Sequence, residues 1–129
     1  MSYALNIRKE PDHLCIEAIG NRAPDSLVAV ANACAAACKE HGYAKFLLDV
    51  QRMTGELSIL DSYEVAARQL PPLARGLGLR AAILDAEENI HRLQFFENVS
   101  VNMGINLRIF SNSNSALTWL CGTASSSAQ

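Results

Sequence analysis

The sequence predicts a layered α/β fold: a mostly parallel sheet opened by an N-terminal β-hairpin, with helices on both faces. Three observations carry this. Apolar and polar residues alternate over Tyr3–Arg8 and again over Leu14–Ile19, with Pro11-Asp12-His13 between them as turn chemistry. Further on, Lys45–Val50 and Leu79–Leu84 are short apolar runs of the kind found in strands covered on both faces, which is the signature of parallel pairing. Between and after these runs the apolar residues recur at helical spacing.

Each element has its own local reason. Gly20-Asn21-Arg22 closes the hairpin, and Pro24 takes the first position of a helix, where a missing N–H is no loss. That helix is predicted to run to about Glu40 and stop at Gly42, although Ala23 is a poor N-cap. Phe46-Leu47-Leu48-Asp49-Val50 then ends a strand on a carboxylate and enters the polar loop Gln51–Ser58. Ser58 with Asp61 three residues on is a variant of the capping box, and Ile59, Tyr63, Ala66, Ala67 and Leu70 follow at helical spacing, up to a stop expected at Pro71-Pro72. Leu79–Leu84 repeats the strand that ends on a carboxylate, here Asp85. Leu93, Phe96, Val99 and Met103 mark the next helix, stopped by Gly104, and Asn106–Phe110 is the last strand. Ser111 is expected to cap a final helix through Leu120. With right-handed crossovers this order gives a mostly parallel sheet with one antiparallel edge. Residues 1–121 are thus read as one domain and residues 122–129, small and polar, as a disordered tail.

Composition narrows the function. A chain of 129 residues with 50% apolar side chains builds one real core. Its 11 Lys and Arg against 13 Asp and Glu leave a net charge of -2, which supplies no positive field for a phosphate backbone, so nucleic acid is not an expected partner. No apolar run approaches the roughly 18 residues of a spanning helix, and the N-terminus is strand-like rather than basic then apolar, so a cytoplasmic location is expected. Cys15, Cys34, Cys38 and Cys121 include no C-x-x-C pair and are expected to be free thiols. Cys34, Cys38 and His41 stand at successive helical turns, but they extend the apolar stripe of Leu27, Val30 and Ala31, and no metal is assigned to them.

Glu40-His41-Gly42 before Leu47-Leu48-Asp49-Val50, then Phe95-Phe96-Glu97-Asn98-Val99, Asn102-Met103-Gly104 and the closing Ala116-Leu117-Thr118-Trp119-Leu120, in this order of elements, resemble the STAS superfamily. More narrowly, the chain is similar to the SpoIIAA-like proteins, with a STAS/Sec14-type fold. The resemblance implies a non-enzymatic regulatory module. STAS domains include anti-sigma-factor antagonists, which bind a partner kinase and are switched by phosphorylation at the start of the helix after the central strand, whereas related Sec14-type domains bind lipids. The antagonist pattern there is Asp-Ser-Ser-Gly. This chain has Leu57-Ser58-Ile59-Leu60 followed by Asp61-Ser62-Tyr63-Glu64, so Ser58 suits the spacing and Asp61-Ser62 matches half of the pattern.

In open α/β sheets, ligands and partners gather beyond the carboxyl ends of the parallel strands. Asp49, Thr54, Ser58, Asp85 and Asn89 should all lie near that edge. Ser58, Thr54, Asp49, Asp61 and Ser62 are the candidates for phosphorylation or partner contact. Asp49 and Asp85 would suit a divalent cation as a pair, yet no P-loop, nucleophile with its base, or third ligand accompanies them. His13, His41 and His91 are scattered over a turn, a helix end and a helix start, and Glu87-Glu88 with His91-Arg92 reads as a charge-paired helix face. No catalytic residue, metal or cofactor is assigned. The second function class is a carrier of a small apolar or lipid-like ligand, with Tyr63, Leu70, Phe95, Phe96 and Asp85 lining a pocket between helix and sheet. A pocket open to the surface would favour it and a filled core would count against it. Phe95 and Phe96 cannot both face one core, so one of them is expected to be exposed and to offer a homodimer contact.

Overall fold

The hairpin forms as the alternation requires: β1 (Tyr3–Lys9) and β2 (Leu14–Asn21) pair antiparallel from Tyr3 with Gly20 to Lys9 with Leu14. The computed structural model describes residues 3–74 and 78–122. Helix α1 (Pro24–His41) follows, with no side-chain cap at Ala23 and a left-handed Gly42 at its end. Then come β3 (Lys45–Asp49), a two-residue β4 (Met53–Thr54), α2 (Ile59–Tyr63), a π-helical segment (Glu64–Gln69), α3 (Leu70–Ala74) and β5 (Arg80–Leu84). Helix α4 (Glu87–Asn102), β6 (Leu107–Phe110) and α5 (Ser113–Cys121) complete the order.

The sheet runs β1-β2-β3-β5-β6, antiparallel only at β1, and β4 adds a short parallel pairing to the end of β2. Alternation along the strands divides the core. Leu14, Ile16, Phe46, Leu48, Ala81 and Leu107 join the face covered by α1 and α4. Leu47, Ala82 and Leu84 point the other way, onto Ala116 and Leu120 of α5. Helices therefore lie on both faces, as expected, with α5 alone on the second. The Arg80 guanidinium stacks 3.8 Å over the Trp119 ring and donates to the Trp119 carbonyl, which fixes α5 against β5. The α2–α3 stretch packs against α1 and α4 and bridges them over the larger core.

Three local expectations are corrected. The second helix does not stop at Pro71-Pro72. The Leu70 N–H reaches back five residues to the Val65 carbonyl, so the helix widens, and both prolines fall in the opening turn of α3, where a missing N–H is tolerated. The last helix is capped by Asn112, whose side-chain oxygen accepts from the Ser115 N–H at 3.0 Å, because the helix starts one residue later than Ser111 would allow. The loop after β3 contains β4, too short to register as a strand in the sequence. The expected tail beyond Gly122 lies outside the described residues.

Candidate functional site

The loops beyond the carboxyl ends of β2, β3 and β5 are tied together by one side chain. Arg22, which follows β2, sends a guanidinium nitrogen to Asp85 Oδ2 at 2.8 Å and to the Val50 carbonyl at 2.9 Å, while a second nitrogen reaches the Gly55 carbonyl at 3.0 Å. Asp85, whose side chain is fully buried, also accepts from the Ala86 N–H at 2.7 Å and from the Asn89 amide at 3.0 Å. Every oxygen of that carboxylate is occupied, so it is neither a free base nor an open cation ligand. Asp49 does not join it: its carboxylate accepts from the Gln51 N–H at 3.0 Å and closes its own turn. Arg22 went unmarked in the sequence, where it read only as the end of a hairpin. The signal was chemical, since a carboxylate at a buried strand end needs a cation, but the sequence did not point to which one.

At the start of α2, Ser58 is exposed and caps the helix, its Oγ accepting from the Asp61 N–H at 3.0 Å. Asp61 is exposed, and Thr54 lies on the rim with its hydroxyl donating to the Gly20 carbonyl at 3.3 Å. Ser62, the other candidate serine, is buried at 8% exposure. Its helix neighbours are the opposite: Ile59 is 70% exposed, Leu60 82% and Tyr63 48%. Helix α2 thus turns an apolar face outward and a hydroxyl inward.

Inward lies a cavity of about 180 Å³. Its floor is the sheet at Leu48, Ala81 and Ile83, its walls include Ala31 of α1 and Phe96 of α4, and its roof is the α2–α3 stretch at Ser62, Val65 and Leu70. Arg22, Asp85 and Asn89 form its polar end, and exposed Glu56 and Arg92, bridged at 2.9 Å, stand at its rim. Leu70, Phe96 and Asp85 are among its lining residues. Tyr63 and Phe95 are not: both face outward, because Ser62 and Phe96 take the inward positions next to them. Arg92 pairs across the gap with Glu56 and not along its own helix with Glu88, as the i,i+4 spacing suggested.

The remaining chemistry-bearing residues lie elsewhere. Cys34 and Cys38 point into the core, and the four cysteines are free thiols. Among the described residues, Asp12, His13 and Cys121 form the one cluster of three potential ligands. It joins the β1–β2 turn to the end of α5, with His13 Nδ1 2.9 Å from Asp12 Oδ1 and 3.7 Å from Cys121 Sγ. Both partners sit on the same ring nitrogen, so the histidine does not relay a proton between thiol and carboxylate. Burial pushes the Cys121 thiol up to about 11, away from the reactive thiolate, while the hydrogen bond with His13 holds Asp12 below its ordinary value.

Two solved structures share this architecture over nearly their whole length. An anti-sigma factor antagonist from Mycobacterium paratuberculosis aligns with a TM-score of 0.57 at 10% identity, covering 93% of this chain and 95% of that one. A protein with a SpoIIAA-like fold from Shewanella loihica aligns at 0.50 and 18% identity, covering 92% and 94%. The chain has a SpoIIAA-like fold. At these identities the likeness is one of fold, and no family model and no curated protein matches the sequence. Among the described residues, no helix is long and apolar enough to cross a membrane.

Proposed function

We propose that this STAS-like domain is a non-enzymatic regulatory module that binds a protein partner through the loop Gln51–Ser58 and the outward face of α2. The observation that carries the reading is the apolar patch of Ile59, Leu60 and Tyr63, three large side chains exposed within one helix of five residues. Residues at i, i+1 and i+4 share one side of such a helix, and water-facing clusters of this kind mark contact surfaces more often than chance. The M. paratuberculosis neighbour is an anti-sigma factor antagonist, which supports a regulatory class. In this reading Ser58 is the serine that a kinase reaches, since Ser62 is buried. A phosphoryl group there would sit at the positive end of α2 but beside Glu56 and Asp61, so modification changes the charge of the contact face sharply.

The test is affinity capture from native lysate with mass spectrometry, followed by titration of the captured protein, once purified, against wild type, Leu60→Asp and Ser58→Asp. A partner whose affinity falls by about tenfold or more on Leu60→Asp, with an unchanged melting temperature, is the expected result, in line with the loss of one buried apolar anchor. Equal binding by wild type and Leu60→Asp would remove α2 as the contact surface.

A further inference from the structure

The cavity beneath α2 has no part in the docking reading, and its lining says what it would hold. We infer that it is a binding site for a small, mostly apolar molecule of about the size of a single aromatic ring with one or two substituents, anchored by a hydrogen bond to Ser62 Oγ. Three observations converge on this. The space is about 180 Å³, and an apolar cavity of roughly 150 Å³ is enough to take benzene. The lining is overwhelmingly aliphatic and aromatic, so water gains too few hydrogen bonds to fill it well. Ser62, only 8% exposed, is among the described residues the one hydroxyl-bearing residue in the cavity lining. A hydroxyl both donates and accepts, so Ser62 is the lining group suited to pair with a hydroxyl or carbonyl of the ligand.

The charged groups at the end of the cavity define the ligand further. Arg22 spends three of its five N–H donors on two carbonyls and Asp85, and both Asp85 oxygens are taken by donors, so the two charges neutralise each other and leave no net charge to attract a charged head group. Asn89 spends its amide hydrogens on Asp85 and keeps its oxygen for a donor. A neutral hydroxyl, phenol or carbonyl compound fits this arrangement, whereas a carboxylate or phosphate would have to break the Arg22–Asp85 pair to be neutralised. The inference stands apart from the docking face: it needs Ser62 and the inner walls, and not Ile59 or Leu60.

Phenol and benzene make a matched pair of probes that differ by one hydroxyl. In a proton–nitrogen NMR titration of the whole chain, both should shift the amide signals of cavity residues such as Val65 and Ala81. Ser62→Ala should weaken phenol about fivefold and leave benzene unchanged, as expected for one net hydrogen bond. Ala31→Leu, or independently Ala35→Leu, fills the wall and should abolish the binding of both probes. The inference is overturned if neither probe shifts the wild-type signals, if phenol binds Ser62→Ala as well as wild type, or if the folded wall-filling variants still bind. Leu60→Asp should bind phenol normally, which keeps this result separate from the fate of the docking proposal.

Discussion

Removing the Arg22 side chain would leave Asp85, a carboxylate without exposed surface, with only the Ala86 N–H and the Asn89 amide as donors. Breaking a buried pair from one side strands the other charge, so Arg22→Ala should cost about 3–5 kcal/mol in urea unfolding, while Asp85→Asn, which keeps a neutral acceptor in place, should cost about 1–3 kcal/mol. The reverse order would mean that the contacts of the Asp85 carboxylate with Ala86 and Asn89, and not Arg22, hold the loops together. This pairing shows where single residues stop being legible. Asp85 was marked by its position at the end of an apolar run, but its partner stands 63 residues away in what reads as hairpin closure. Adjacency alone said that Phe95 and Phe96 face different ways but not which of them faces inward, and which of Ser58 and Ser62 faces water needed the rotation of α2, which two candidate motifs left open.

Helix ends are worth testing as elements, because each cap is one hydrogen bond with a known typical cost. Ser58→Ala and Asn112→Ala should each lower stability by about 1 kcal/mol in thermal or chemical denaturation, and a Ser58→Ala protein as stable as wild type would mean that α2 does not depend on its cap. The elements were the most legible level of the sequence. Strand alternation and helical spacing are imposed by burial on one face, and here each face of the sheet is covered. What escaped was what burial does not encode. The π-helical segment keeps the same kinds of apolar residues as an α-helix would, so the prolines read as a stop when they are only the start of another turn. The two-residue β4 carries too few side chains for any period to show.

Over the whole molecule, the buried thiols set an alkaline limit. Burial pushes Cys34 up to about 12 and Cys38 to about 11, from 9.0 in an exposed chain. Unfolded protein therefore loses these protons first, so stability is complete below pH 9 and falls as pH rises towards 12. Melting temperatures taken from pH 8 to 11 should decline, and Cys34→Ser should flatten the slope; an identical slope in that variant would place the alkaline loss on other groups. The architecture as a whole was readable because strand order, hairpin and crossover helices leave few topologies, while the cavity was legible only as a few candidate lining residues, since an unfilled space has no residue of its own. The roof of that space contains one feature of a different kind. A π segment holds more residues per turn than an α-helix, and each residue of α-helix is worth about 100° of rotation. If Glu64–Gln69 tightened to α geometry, Ile59–Tyr63 would turn like a screw against α3 by about that angle, and the hydroxyl now facing inward and the apolar patch now facing water would move together. One stretch of backbone would then link what fills the interior to what the surface presents.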